Sequence, residues 1–192
     1  MVAIIVPGNY GAVIAVALGA IPVLGFVHGI VTGKQRKAAH VPYPHSYATV
    51  EQCKENVRTI DSGPTSASLC SISFLSVHSP YLPQTQCSHM NCTHNPKPLA
   101  DKFNCAQRAH ANFLENAPQT MLFTLVAGLK YPELAAGLGA LWVFFRALFL
   151  HGYVFSGKAQ GKGRMRGSFF WLVQGALWGL SVFGVGRELL DF

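Results

Sequence analysis

Gly11 to Thr32 reads GAVIAVALGAIPVLGFVHGIVT, a run without a Lys, Arg, Asp or Glu. The hydrocarbon core of a bilayer is about 30 Å thick, and roughly 20 helical residues cross it. The run is therefore long enough to span, and Pro22 inside it should kink the helix without ending it, as membrane helices tolerate. Gly33 and the basic cluster Lys34-Gln35-Arg36-Lys37 follow directly and mark the exit. The N-terminus carries no basic stretch before this run, so the reading is a first transmembrane helix over about 11–32 and not a cleavable signal peptide.

Working outward, three more segments have the same character. A second helix is expected over about 104–130, polar along one side of its first half and apolar through APQTMLFTLVAGL. A third is expected over about 132–155 with one charge, Arg146, near its middle, and a fourth over about 167–185, reading GSFFWLVQGALWGLSVFGV. Lys130-Tyr131-Pro132 is short enough to force an antiparallel hairpin. The expected fold is an all-α membrane protein, a four-helix up-down transmembrane bundle forming one domain over residues 1–192. The long first loop and the Lys158–Arg166 loop then share a side, and their positive charge assigns that side to the cytosol.

Composition agrees. Of 192 residues, 50% are hydrophobic and only 12% charged, against about 25% charged in a soluble domain, and the mean hydropathy is +0.28. The net charge of +7 could suggest nucleic acid. The basic residues instead sit beside apolar runs, with no aromatic-interleaved basic surface, so nucleic acid is excluded as a partner. The cysteines Cys53, Cys70, Cys87, Cys92 and Cys105 form an odd set without framework spacing.

Residues 57–99 break the pattern, being rich in Ser, Pro, Thr and His without periodicity. The stretch reads as an atypical insert in the cytosolic loop: a disordered segment, a gene-model artefact such as a translated intron, or a functional module. Cys87-x-His89 and Cys92-x-His94 carry the last reading, but their spacing fits no standard zinc pattern, and no metal is expected. Asn91-Cys92-Thr93 is a formal glycosylation sequon on what would be the cytosolic side.

The residues with chemistry to offer are Arg108, Asn112 and Glu115, whose steps of four and three put them on one helical face. An Arg at bilayer depth costs roughly 2.5–3.5 kcal/mol, so it faces a partner or a wet cavity. Arg146 has the same need. Glu115 is one candidate partner for it, which would make both structural; a polar site is the other reading. His151-Gly152-Tyr153 ends the third helix, as interfacial aromatics do or as part of a site. Two helix-borne cations, an acid and an amide suit a small zwitterion with separated carboxylates. Arg36, Arg164 and Arg166 sit at the ends of the first and fourth helices and could close such a site. A guanidinium beside a thiol favours the thiolate.

Phe103-Asn104-Cys105-Ala106-Gln107-Arg108-Ala109-His110-Ala111-Asn112-Phe113-Leu114-Glu115 resembles the signature of the MAPEG superfamily, and its Phe-Asn-Cys-x-Gln-Arg-Ala-His form is most similar to the type 3 microsomal glutathione S-transferases. The likeness continues through Tyr10-Gly11, Lys34–Lys37, Tyr43-Pro44, Gly137-Leu138-Gly139 and His151-Gly152-Tyr153. It leaves out only about 57–99, where the family has a short connection, which favours the artefact over a functional module.

The resemblance implies a homotrimer in the endoplasmic reticulum (microsomal) membrane. Glutathione would be a co-substrate bound between neighbouring subunits at the cytosolic end. Arg36, Arg108, His110, Asn112, Glu115 and Tyr153 fall on glutathione-binding positions. Arg166, or Arg164, falls on that of the catalytic thiolate-stabilising Arg, with Arg166 the better fit because Gly-Ser-Phe-Phe-Trp-Leu follows it. The implied reactions are transfer of glutathione to a lipophilic electrophile and reduction of a lipid hydroperoxide, both substrates coming from membrane lipid. The alternative is a non-catalytic lipid-binding member that acts as a scaffold or presents fatty acids. Phe149 stands where several relatives have Tyr, Asn116 replaces another Tyr, and Lys37 replaces an Arg; these departures bear on leukotriene synthesis more than on glutathione binding.

Overall fold

The computed structural model describes residues 7–49, 51–52, 99–156 and 159–190. Cys53, Cys70, the Cys87–His94 cluster, the Asn91 sequon and the 57–99 insert, apart from Leu99, lie outside the described residues. No strand occurs among those described.

Helix α1 is Tyr10–Ala38. Its buried residues Val13, Ala17, Ile21, Leu24, His28 and Thr32 recur at steps of three and four, a stripe along one face. Its other faces leave Leu18, Val23 and Phe26 exposed, as a helix side turned to lipid requires. The segment Ala15–Ala20 is π-helical, and Ile21 N–H donates to Val16 O, five residues back. Pro22 offers no N–H and its ring crowds the carbonyl four residues earlier; the widened turn next to it relieves both problems without breaking the helix.

The helix does not end at Thr32 as expected. It carries the basic cluster in its last turns, where cations favour the helix C-terminus. It stops in a Schellman turn: His40 takes φ 53°, its N–H bonds Lys37 O at 3.2 Å, and Val41 N–H bonds Arg36 O at 3.3 Å.

Helix α2 is Leu99–Gly128, beginning five residues before the expected start. Helix α3 is Pro132–Val154, within one residue of expectation. Between them Tyr131 N–H bonds Ala127 O at 2.9 Å, and Pro132 opens α3 where its missing N–H is harmless. A 3-10 helix, Ala159–Gly167, precedes α4, Phe170–Gly186, the two meeting at 42°. α4 therefore begins three residues later than expected, and its second part, Leu180–Gly186, is π-helical.

Two helices, α1 and α3, are long and apolar enough to cross a membrane, and the bent pair Gly161–Gly167 with Phe170–Gly186 makes a third. α2 does not meet that standard, because its first half is charged and Asn112, Glu115, Asn116 and Gln119 keep even its more apolar second part too polar.

α2 packs on α1 and α3, and α3 also packs on the 3-10 helix and α4. The main core joins Ile21, Phe113, Trp142, Phe149 and Phe170. Side chains of α1 and α2 pack directly on the α3 backbone at Gly139, where an added Cβ would lie 2.7 Å from Val16 Cγ1 and 3.2 Å from Thr124 Cγ2. Small residues permit such crossings between membrane helices. A smaller cluster of Ala39, Val41, Ala48, Ala100 and Phe103 docks the chain after α1 onto the start of α2, where Ala48 N–H donates to Asn104 Oδ1 at 2.8 Å.

Candidate functional site

A cavity of about 240 Å³ is lined by Arg108, Asn112, Phe149, Tyr153, Arg164 and Trp171. α2 supplies the first two from one face, one turn apart. α3 supplies Phe149 and Tyr153, again one turn apart, their rings stacked at 5.6 Å. The 3-10 helix and α4 supply the last two.

The 3-10 helix lies against α3 because glycines let it. An added Cβ on Gly163 would meet Gly152 O at 2.2 Å, and one on Gly167 would meet Phe149 N at 2.3 Å. Gly161 takes φ +64° with the Tyr153 ring against it. This approach brings Arg164 to Tyr153: Nη1 donates to the phenolic oxygen at 3.2 Å, and the guanidinium carbon stands 5.4 Å from the ring centroid.

Arg146 is fully buried. Four rings surround its guanidinium, Phe170 at 4.3 Å, Phe149 at 5.1 Å, Phe113 at 5.4 Å and Trp142 at 5.5 Å, and their π-faces attract a cation. Its Nη1 donates to Asn112 Oδ1 at 2.8 Å. A guanidinium has no acceptor, so it takes the carbonyl end of the amide and leaves the Asn112 NH₂ end for the cavity. The polar lining is then rich in donors and positive: two guanidiniums and an amide nitrogen. The nearest acid, Glu115, is 3.6 Å from Arg108 on the exposed side. This arrangement receives an anion with hydrogen-bond acceptors.

Measured against the expected site, Arg108, Asn112, Tyr153 and Arg164 come together. Glu115 pairs with Arg108 and not with Arg146, whose hydrogen-bond partner is Asn112. Arg164 and Arg166 are both exposed, but only Arg164 lines the cavity, because the 3-10 turn carries residues 164 and 166 to different sides.

Arg36 is also away from the cavity. It sits over the Tyr43 and Phe103 rings at 4.4 and 4.7 Å and donates to His45 O at 2.6 Å, so it holds the chain after α1. His110 turns from the cavity toward His28, ring centroids 6.1 Å apart. Asn116 reaches the site indirectly, its Nδ2 donating to Asn112 O at 2.7 Å.

Trp171, which the sequence does not single out as a site residue, and Phe149, which it presents as a lost hydroxyl, form the apolar walls. Among the described residues no three His, Cys, Asp or Glu side chains gather as metal ligands. Residues 14–183 match the MAPEG family.

Proposed function

The chain belongs to the MAPEG family, and from that membership and the cation-lined cavity we propose that it is a membrane-bound glutathione transferase, nearest in kind to the type 3 microsomal enzymes. The observation that carries this reading is the pairing of Arg164 with Tyr153 at the mouth of a cavity that also holds Arg108 and the Asn112 amide. Glutathione brings two carboxylates and a thiol. Arg108 and Asn112 would hold the tripeptide with Glu115 at its ammonium, and Arg164 would hold the sulfur as thiolate. Most of the rate would come from orientation and from stabilising that charge.

Two reactions share the thiolate. With a lipophilic electrophile, sulfur forms a bond to carbon and the leaving group, where there is one, departs with the electron pair. With a lipid hydroperoxide, sulfur attacks the terminal oxygen and the O–O bond breaks. The alkoxide takes a proton to become an alcohol, and a second glutathione converts the sulfenic acid to the disulfide and water. The half-exposed Trp171 and the neighbouring apolar surface of α4 are the side from which a bilayer-dissolved substrate would enter.

The same reading takes the chain to be a homotrimer of four-span subunits in the endoplasmic reticulum, with the cavity facing the cytosol. Arg36 and Arg166, which stand off the cavity of their own chain, would act at the boundary with a neighbouring subunit, and His110 would act behind Asn112.

The test is glutathione-dependent reduction of a lipid hydroperoxide by the purified protein, together with protection against heat by glutathione. Activity with protection is expected. Neither would leave a structural membrane protein, and protection without turnover would leave the non-catalytic reading.

A further inference from the structure

Behind Asn112, away from the cavity, three basic side chains from three helices meet around Phe113. His28 of α1 is fully buried and stacks on the Phe113 ring at 4.6 Å. The His110 ring of α2 is 6.1 Å from His28. The Arg146 guanidinium carbon of α3 is 5.4 Å from the Phe113 centroid.

Five buried nitrogens here have no hydrogen-bond partner among the described residues: both of His28, Nδ1 of His110, and Nε and Nη2 of Arg146. Buried polar atoms are nearly always partnered in native proteins. Leaving several together is costly, the more so because one group is a cation that forms no ion pair among the described residues.

The chemistry of the cluster selects what would satisfy it. Nε and Nη2 of one guanidinium form the fork that a single acceptor bridges. Each neutral imidazole keeps one N–H to donate, and His28 lies within 6.1 Å of His110, ring centroid to ring centroid. The charge of Arg146 repels a metal cation, which two imidazoles would otherwise suit. A neutral water would fill hydrogen bonds but bring no counter-charge to a guanidinium that meets four ring faces and an amide. The Asn112 amide, bonded to Arg146 on one side and lining the cavity on the other, is the partition an entering species must pass, and a position behind it admits only something small. We propose that His28, His110 and Arg146 form an inner binding site for a small monovalent anion of halide or formate size, separate from the glutathione cavity and independent of whether glutathione binds there.

The test uses the full chain purified in detergent in a gluconate buffer, titrated with sodium bromide against sodium gluconate at constant ionic strength, with the unfolding temperature as readout. A ligand that binds only the folded state raises that temperature saturably. We expect such a rise with bromide and with formate, persisting when glutathione is saturating.

His28→Phe keeps the ring stack and removes two of the five nitrogens. It should unfold at a higher temperature than the parent in gluconate and bind bromide about tenfold more weakly or worse, as loss of one good hydrogen bond implies. Arg164→Ala, altered only in the outer cavity, should bind bromide as the parent does. A general salt effect would be shared by all three proteins and would overturn the inner site. So would identical unfolding in bromide and gluconate, undiminished affinity in His28→Phe, or a bromide effect that glutathione or Arg164→Ala abolishes.

Discussion

Tyr153 accepts a hydrogen bond from Arg164 at 3.2 Å, joining the last turn of α3 to a residue eleven positions later in the 3-10 helix. Arg166 is two residues further on and exposed. The two arginines are equivalent in charge and reach, so substitution separates them. Arg164→Ala should lower turnover with glutathione by about 10²-fold or more, the scale of losing one transition-state charge stabiliser, with a much smaller change in the glutathione KM. Arg166→Ala should lose far less, because Arg166 stands off the cavity of its own chain. Steady-state conjugation of a chromogenic electrophile, with thiolate absorbance read on mixing, checks both. Equal losses in the two variants would refute the assignment.

The place of Arg164 depends on close backbone approach, which gives a second expectation. Gly163→Ala and Gly167→Ala push Cβ atoms into the backbone of α3, so the 3-10 helix must shift and take Arg164 with it. Both should lose activity to an extent comparable with Arg164→Ala while circular dichroism stays helical. Gly175→Ala is the control. Nothing lies within 4 Å of its added Cβ, and in a helix interior the change should stabilise by up to about 1 kcal/mol with activity unchanged.

Most of this geometry is legible in the sequence where periodicity carries it. Arg108 and Asn112 share a face because one helical turn separates them, and the same spacing sets Phe149 beside Tyr153. What fails is whatever depends on irregular backbone. No helical period runs through the 3-10 helix, so its glycines give no sign of which arginine they turn inward, and the residues that follow favour Arg166, which does not line the cavity of its own chain. The end of α1 is misplaced for a related reason. Gly33 looks like a stop, but the real stop is a left-handed His40, and although His enters that conformation more readily than most non-glycine residues, it does so too seldom to mark a helix end. His28 is hidden because a His in an apolar run gives no signal of its own; only its register with Leu24 and Thr32 on the buried stripe marks it.

Asn112 holds two duties with opposite charge preferences, and substitution should separate them. Asn112→Ala removes the hydrogen bond to Arg146 and should destabilise by about 1.5–3 kcal/mol, the range for a bond to a charged group. Asn112→Asp gives the buried guanidinium a carboxylate and should raise the unfolding temperature. It also puts a negative charge at the cavity, so glutathione should bind at least about tenfold more weakly. Thermal unfolding and glutathione titration on the same preparations test this. Parallel changes in stability and affinity would show that Asn112 does not divide the two environments.

The Arg108–Glu115 pair separates stability from binding in another way. Both side chains are about half exposed, at 49% and 56%, and 3.6 Å apart, so water and salt screen the attraction and the pair should contribute at most about 1 kcal/mol to folding. Glu115→Gln should therefore leave the unfolding temperature almost unchanged and make it less sensitive to salt. Arg108→Gln should be equally mild in stability yet weaken glutathione by about tenfold or more, because a bound carboxylate would replace Glu115 as its partner in a less solvated setting. Measuring affinity across a salt series makes the comparison decisive. If Arg108 meets the ligand, the parental affinity falls with salt more steeply than that of Arg108→Gln; if the two slopes are parallel, Arg108 serves only the surface pair.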